Sequence, residues 1–171
     1  MIIVCKNNWM EDKPFRSDRS SVAFLLAQVG AHGAREFAAL LAPEKLVPAD
    51  AGILLLLSRS PGISQQNLAQ ALDMHASRLV AVIDALETRG LVVRESNIND
   101  RRIYSLRLTD AGGELLRQIG QLARSHNENI CSGLDDTERA QLRSLLQKVA
   151  AHQGLLPGIH PGYKDLGSSD R

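Results

Sequence analysis

Ser64, Gln65, Gln66, His75, Ser77 and Arg78, with Arg101 and Arg102 further along, are the residues of this 171-residue chain whose types and spacing suit chemistry at a ligand. They offer hydroxyl, amide, imidazole and guanidinium groups. Such groups hydrogen-bond base edges and phosphates rather than make or break covalent bonds. Ser64 to Leu72 (SQQNLAQAL) reads as one short helix, and Asp73 to Arg89 (DMHASRLVAVIDALETR) as a second joined to it by a tight corner. In the second helix Leu79, Val82, Ile83 and Leu86 recur at i, i+3, i+4 and i+7, so one apolar stripe faces a core. His75, Ser77, Arg78, Ala81 and Thr88 fall on the opposite face. A helix that buries one side and offers short polar groups with an arginine near its N-terminus suits the DNA major groove.

The flanking signals place these residues. Ser64 is a fitting N-cap for the first helix and Asp73 for the second, and neither has a Glu or Gln three residues on. Gly90 stops the second helix. Beyond it LVVRES and RRIYSLRL are rich in β-branched and apolar residues, and NIND between them supplies turn formers. The result is a hairpin with Asn97, Asn99, Asp100, Arg101 and Arg102 at or near its tip. An arginine there fits the negative potential of a minor groove. The alternative is a solvated turn in which Asp100 and Arg102 pair with each other for about 0 to 1 kcal/mol.

The run LAQALDMHASRLVAVIDALETRGLVVRESNINDRRIYSLRLTDAGGELL resembles the core of the MarR family of bacterial transcription regulators. It carries Asp-x-Arg at Asp100 to Arg102 and Leu-Thr-x-x-Gly at Leu108 to Gly112. The likeness extends more loosely from Ser20 to His152. It implies a mainly α fold with a small β-hairpin wing, a winged helix-turn-helix whose N- and C-terminal helices form a dimerisation domain. It also implies that Ser77 and Arg78 face bases or phosphates, that Arg102 reaches the minor groove, and that Ser64, Gln65 and Gln66 hold phosphates. His75 and Arg101 adjoin these positions and complete the expected DNA-binding set. The implied partners are double-stranded DNA with a pseudo-palindromic site and a second copy of the chain, and repression is the commoner outcome.

The outer segments supply the helices such a dimer needs. Ser20 to Leu41 has helical spacing at Val22, Leu25, Leu26 and Val29, and Pro43 ends it. Ala49 to Ser58 reads as a short buried helix. Thr109 caps a long helix to about Cys131 with Leu115, Leu116, Ile119 and Leu122 on one stripe. Asp135 with Glu138 opens a last helix through Leu142, Leu145, Leu146 and Val149. These stripes pack either within one protomer or, as the resemblance implies, against a partner's. The expected organisation is an N-terminal arm at 1–19 containing Trp9 and Phe15, a dimerisation region at 20–46 and 109–152, a DNA-binding module at 47–108, and a flexible tail at 153–171 with two Pro-Gly pairs.

Composition excludes other classes. With 44% hydrophobic and 23% charged residues the chain is an ordinary globular protein. The apolar run AGILLLLS is too short to span a bilayer, and Lys6 interrupts MIIVC, so neither membrane insertion nor export is expected and the cytoplasm is the default compartment. The net charge is only +1, yet from Arg59 to Arg107 seven arginines oppose five carboxylates. An all-arginine excess suits recognition better than general adhesion. There is no G-x-x-x-x-G-K, G-x-S-x-G or H-E-x-x-H, and histidines 32, 75, 126, 152 and 160 are scattered, so no enzyme, metal or cofactor is expected.

What would be sensed is less sharply written. The family likeness implies a small aromatic or anionic effector, for which His32, Arg35, Phe37, Arg59 and Trp9 are candidates, although a packing or surface role is the plainer reading of each. The layout of Cys5 and Cys131 is reminiscent of thiol-based peroxide sensors of this fold, although the tyrosines that surround the sensing cysteine there are missing. Reduced thiols are the plain alternative. A winged-helix adaptor for protein contacts is the rival from another class, and it requires an apolar or acidic reading face, which Ser77 and Arg78 do not give.

Overall fold

Ser21 starts the first helix by accepting a hydrogen bond from the Phe24 N–H at 3.2 Å through its hydroxyl, and α1 (Val22–Leu41) follows. The computed structural model describes residues 21–96 and 104–155. The chain divides into two compact units, Met1–Arg35 and Glu36–Arg171. In the first unit, the described part is the leading portion of α1, on which Val22, Phe24, Leu25, Leu26 and Val29 are all exposed, Val22 at 70%. No helix among the described residues is long and apolar enough to cross a membrane.

The second unit begins with the end of α1. Pro43 turns the chain into a 3-10 segment, Ala42–Glu44, and Lys45 follows in a left-handed conformation. Arg89 clamps this corner by donating to the carbonyls of Glu44 (2.8 Å) and Lys45 (3.2 Å). Next comes α2 (Pro48–Arg59), with proline in its first turn and Asp50 accepting from the Val47 N–H at 3.0 Å. Burial pushes the Asp50 carboxyl up, against the opposing pull of the Val47 bond and of Arg89. The buried face of α2 is Ala49, Ala51, Ile53, Leu54 and Leu57.

The helix pair is α3 (Gln65–Ala71) and α4 (Ala76–Thr88). Its corner differs from the expected one. Asp73 does not cap α4; it has φ of 49° and terminates α3 from the left-handed region. Its N–H bonds the Gln70 carbonyl (3.1 Å) and the next N–H, of buried Met74, bonds that of Ala69 (2.9 Å), the paired bonds of a Schellman motif. Aspartate tolerates this conformation better than most residues, which is why the position is not glycine. The N-cap of α4 is therefore His75, which makes no side-chain cap bond. Gly90 does end α4 as expected. With φ of 69° it donates to Glu87 (2.8 Å), while Leu91 donates to Leu86 (3.0 Å).

The hairpin strands are β2 (Val92–Ser96) and β3 (Tyr104–Leu108), paired antiparallel with Val92 opposite Leu108 and Ser96 opposite Tyr104. A third strand absent from the sequence reading, β1 (Ile63–Ser64), pairs with the other side of β3, Ile63 opposite Leu106. The sheet order is β1-β3-β2. Two helices complete the unit, α5 (Asp110–Ile130) and α6 (Asp136–His152). As expected, Thr109 caps α5 by accepting from Gly112 (3.0 Å), and Asp135 and Glu138 exchange side-chain and backbone bonds of 2.9 Å to open α6.

One apolar cluster holds the second unit together. Leu54 and Leu57 of α2, Leu68 of α3, Leu79, Ile83 and Leu86 of α4, Val92 and Leu106 of the sheet, and Leu115 and Ile119 of α5 all lie in it. Among the described residues no buried residue is polar or charged. By contrast, α6 has no buried residue.

Gly112 marks the tightest approach. A Cβ there would lie 2.0 Å from the Leu91 carbonyl oxygen, so the backbone itself would have to move. Gly112→Ala is expected to destabilise the unit by about 1–3 kcal/mol or more, read from its urea unfolding midpoint. An unchanged midpoint would mean that α5 does not start against Leu91.

Candidate nucleic-acid interface

The helix pair and the hairpin strands belong to one packed unit, and six of the eight expected DNA-contacting residues sit at the starts of its two short helices. Ser64, Gln65 and Gln66 open α3. Ser64 accepts from the Asn67 N–H at 3.1 Å, a bond that does not use its own hydroxyl hydrogen. Gln66 is exposed, whereas Gln65 is half-buried and its Oε1 accepts from Arg94 Nε at 3.3 Å. His75, Ser77 and Arg78 open α4, with His75 and Ser77 exposed and Arg78 half-buried. The apolar stripe of Leu79, Ile83 and Leu86 anchors the opposite side. His75 also lines a cavity of about 320 Å³ in the crook of the helix pair, with Ala69, Gln70, Asp73 and Met74.

Arg101 and Arg102 lie outside the described residues, as do Asn97, Asn99 and Asp100, so the structure describes the roots of the hairpin and not its tip. The roots are well fixed. Thr109 Oγ1 donates to the Gly90 carbonyl at 2.6 Å, and the Thr109 N–H donates to that of Leu91 at 3.1 Å. Together with Gly112 these bonds give the Leu-Thr-x-x-Gly motif its physical content. Threonine supplies a hydroxyl that donates to one chain segment and accepts from another, and glycine leaves room for the carbonyl between them.

A functional group missed in the sequence is Arg94. Its guanidinium pairs with both Asp84 and Glu87 of α4, its backbone N–H donates to Glu87 Oε1 at 3.2 Å, and its Nε reaches Gln65 of α3. The side chain is only 16% exposed. Burial works against its charge, but the hydrogen bonds and charges of Asp84 and Glu87 outweigh this and raise its pKa above the ordinary arginine value. The signal was the alternation of β2: Arg94 shares a face with buried Val92, and a charge at an inward position needs partners. Across the strands Arg107 pairs with Glu95 at 2.8 Å, but both are about half exposed and such pairs contribute little.

The effector candidates are described unit by unit. His32 and Arg35 are exposed on α1 in the first unit. Phe37 and Arg59 belong to the second, where the rings of Phe37 and His126 are tilted against each other with centroids 5.5 Å apart. Trp9 and Cys5 lie outside the described residues. Cys131 is a free, half-buried thiol at the end of α5. It lines a groove of about 360 Å³ with Arg139, Leu142, Arg143 and Leu146 of α6. Among the described residues no group of three or more His, Cys, Asp or Glu could hold a metal ion.

Comparison with known proteins agrees with this geometry. The model of the MarR family matches residues 46–103, the span from the α1–α2 corner to the hairpin tip. A putative transcriptional regulatory protein for the hcr operon of Thauera aromatica is 35% identical over 116 residues, 67% of this chain and 70% of that protein. An HTH-type transcriptional repressor of Mycobacterium tuberculosis is 26% identical over 79% of this chain and 97% of its own. Among solved structures, the transcriptional repressor CouR bound to a 23-mer DNA duplex is 31% identical with a TM-score of 0.71, covering 81% of this chain and 99% of its own. A mutant MarR of E. coli complexed with operator DNA is 25% identical with a TM-score of 0.66, covering 80% and 99%. The fold and helix pair define a winged-helix transcription regulator. The chain belongs to the MarR family, whose members are non-enzymatic DNA-binding proteins.

The N-cap generates a direct test. Ser64→Ala removes the acceptor for the Asn67 N–H and is expected to cost about 1 kcal/mol in urea unfolding, whereas Ser64→Asp keeps an acceptor and holds the stability near that of the unaltered chain. Equal losses in the two variants would show that the cap bond is not what stabilises α3.

Proposed function

We propose that the chain is a sequence-specific repressor that binds double-stranded DNA as a homodimer on a pseudo-palindromic operator and is released by a small aromatic or anionic effector. The observation that carries the reading is α4, which is anchored by Leu79, Ile83 and Leu86 and presents Ser77 and Arg78 at its start. Arg78 would make a bidentate guanine contact or a phosphate contact, with His75 beside it. Ser64, Gln65 and Gln66 would approach the backbone, Ser64 through its hydroxyl hydrogen. Arg101 and Arg102 at the hairpin tip would meet the adjacent minor groove. An apolar or acidic reading face, which an adaptor needs, is not what α4 offers.

The dimer reading rests on apolar residues left uncovered. On α6 Leu142, Leu145, Leu146 and Val149 are exposed, Leu145 at 59%, and in the first unit Val22, Leu25, Leu26 and Val29 are exposed on α1. A second copy covering such stripes would hold two reading helices about one DNA turn apart, roughly 34 Å. An effector would then act by preferring a dimer whose reading helices are wrongly spaced. The domain limits that go with this are a dimerisation region at 20–46 and 109–152 around a DNA-binding module at 47–108.

The deciding experiment is selection of duplexes from a random pool by the purified full-length protein, followed by anisotropy titration against unrelated DNA at several salt concentrations. A palindromic selected site with competitor-resistant binding is expected. Arg78→Ala combined with Arg102→Ala should abolish that binding while leaving the mass in sedimentation unchanged. Full-strength binding by the double variant would remove both residues from the interface. Leu145→Glu should convert the dimer to a monomer in sedimentation, since an exposed residue of a true monomer would accept the charge with a change within about 0.5 kcal/mol.

A further inference from the structure

We infer that Arg94 is the positioning residue of this module: from the middle of β2 it sets the hairpin against both helices of the reading pair. The inference rests on the DNA-binding reading for its consequence and on geometry alone for its substance. One guanidinium on β2 reaches two helices, with Nη1 on Glu87 and Nη2 on Asp84 of α4 and Nε on Gln65 of α3 at 3.3 Å. The backbone N–H of the same residue donates to Glu87 Oε1 at 3.2 Å, so strand and side chain are both held by α4. A planar fork with fixed donor directions specifies orientation, which the surrounding leucine and valine contacts do not. Gln65, whose Oε1 is engaged here, is thereby a joint between α3 and the hairpin as well as a residue at the helix start.

The inference makes a prediction of unusual sign. Asp84 and Glu87 are carboxylates on a DNA-binding module, and their neutralisation would, through charge alone, strengthen binding to any duplex. If they serve to hold Arg94, their neutralisation must weaken binding to the selected site instead. Asp84→Asn with Glu87→Gln is the primary variant because both side chains are more than one-third exposed and accept neutral isosteres, while the largely buried Arg94 guanidinium loses both of its countercharges. It is expected to raise the Kd for a duplex selected by the unaltered protein by about tenfold, with the Kd for an unrelated duplex unchanged or lowered. Arg94→Met should lose a similar factor, and the triple variant should lose no more than Arg94→Met alone.

Hydrogen exchange supplies a readout without DNA. Amides of 92–96 should exchange faster in both the carboxylate variant and Arg94→Met, with those of α6 unaffected. Selected-site binding that is equal or tighter in the carboxylate variant, or unaltered exchange in β2, overturns the inference. Should the unaltered chain select no duplex, the DNA-binding reading is what fails, and the exchange of β2 alone decides the role of Arg94.

Discussion

Gly90, Leu91, Thr109 and Gly112 meet where α4 ends, the hairpin strands begin and finish, and α5 starts, and the remaining geometry follows from how those four residues touch. Leu91 closes α4 through its N–H, receives the Thr109 N–H on its carbonyl, and has Gly112 pressed against that same oxygen. Thr109 Oγ1 donates to Gly90 and accepts from Gly112. Together these contacts tie the Gly90–Leu91 segment at the end of α4 to the Thr109–Gly112 segment that closes β3 and opens α5. No single bond here is worth more than about 1 kcal/mol net. Their value is geometric, since they deliver Leu86, Val92 and Leu115 to one apolar cluster with a fixed mutual orientation.

Above that junction the division of labour is between apolar burial, which provides the driving force, and one ionic cluster, which provides direction. The core admits no polar side chain among the described residues, so hydrophobic contact alone would tolerate sliding of the sheet on α4. Arg94 resists such sliding because it can satisfy Asp84, Glu87 and Gln65 together in only one arrangement. Partial burial disfavours its charge, and two carboxylates more than offset this. A pair of that kind is weak evidence for stability and better evidence for specificity of arrangement.

Local devices were legible in the sequence and nonlocal ones were not. Ser64, Thr109 and Asp135 with Glu138 each cap a helix through a partner three residues on, a relation that is fixed by helix geometry and so is visible in the letters. The stripe of α4 and the stop at Gly90 are of the same kind. The corner at Asp73 departs from the expectation because aspartate suits both an N-cap and a left-handed terminator, and here it takes the left-handed form with Met74 buried behind it. The strand β1 is two residues long and exists only because Ile63 finds Leu106, a contact that no local pattern announces. Arg94 likewise reads in the sequence as one more positive charge, whereas its place on the inward face of β2 ties it to Asp84, Glu87 and Gln65.

The same distinction bears on why recognition and self-association would be joined in one chain. The helix α6 has a complete capping box and 17 residues, yet none of them is buried. A helix of that length is marginal in water on its own propensity, and capping contributes only about 1 kcal/mol. Covering Leu142, Leu145, Leu146 and Val149 would add the apolar burial that this helix lacks. If that cover is a second copy, the element that a partner stabilises is also the one that holds two reading modules at a set spacing. Any ligand that alters how α6 is covered would then change the spacing with it, because α5, which leads into α6, starts from the junction at Leu91 and Gly112 that fixes α4.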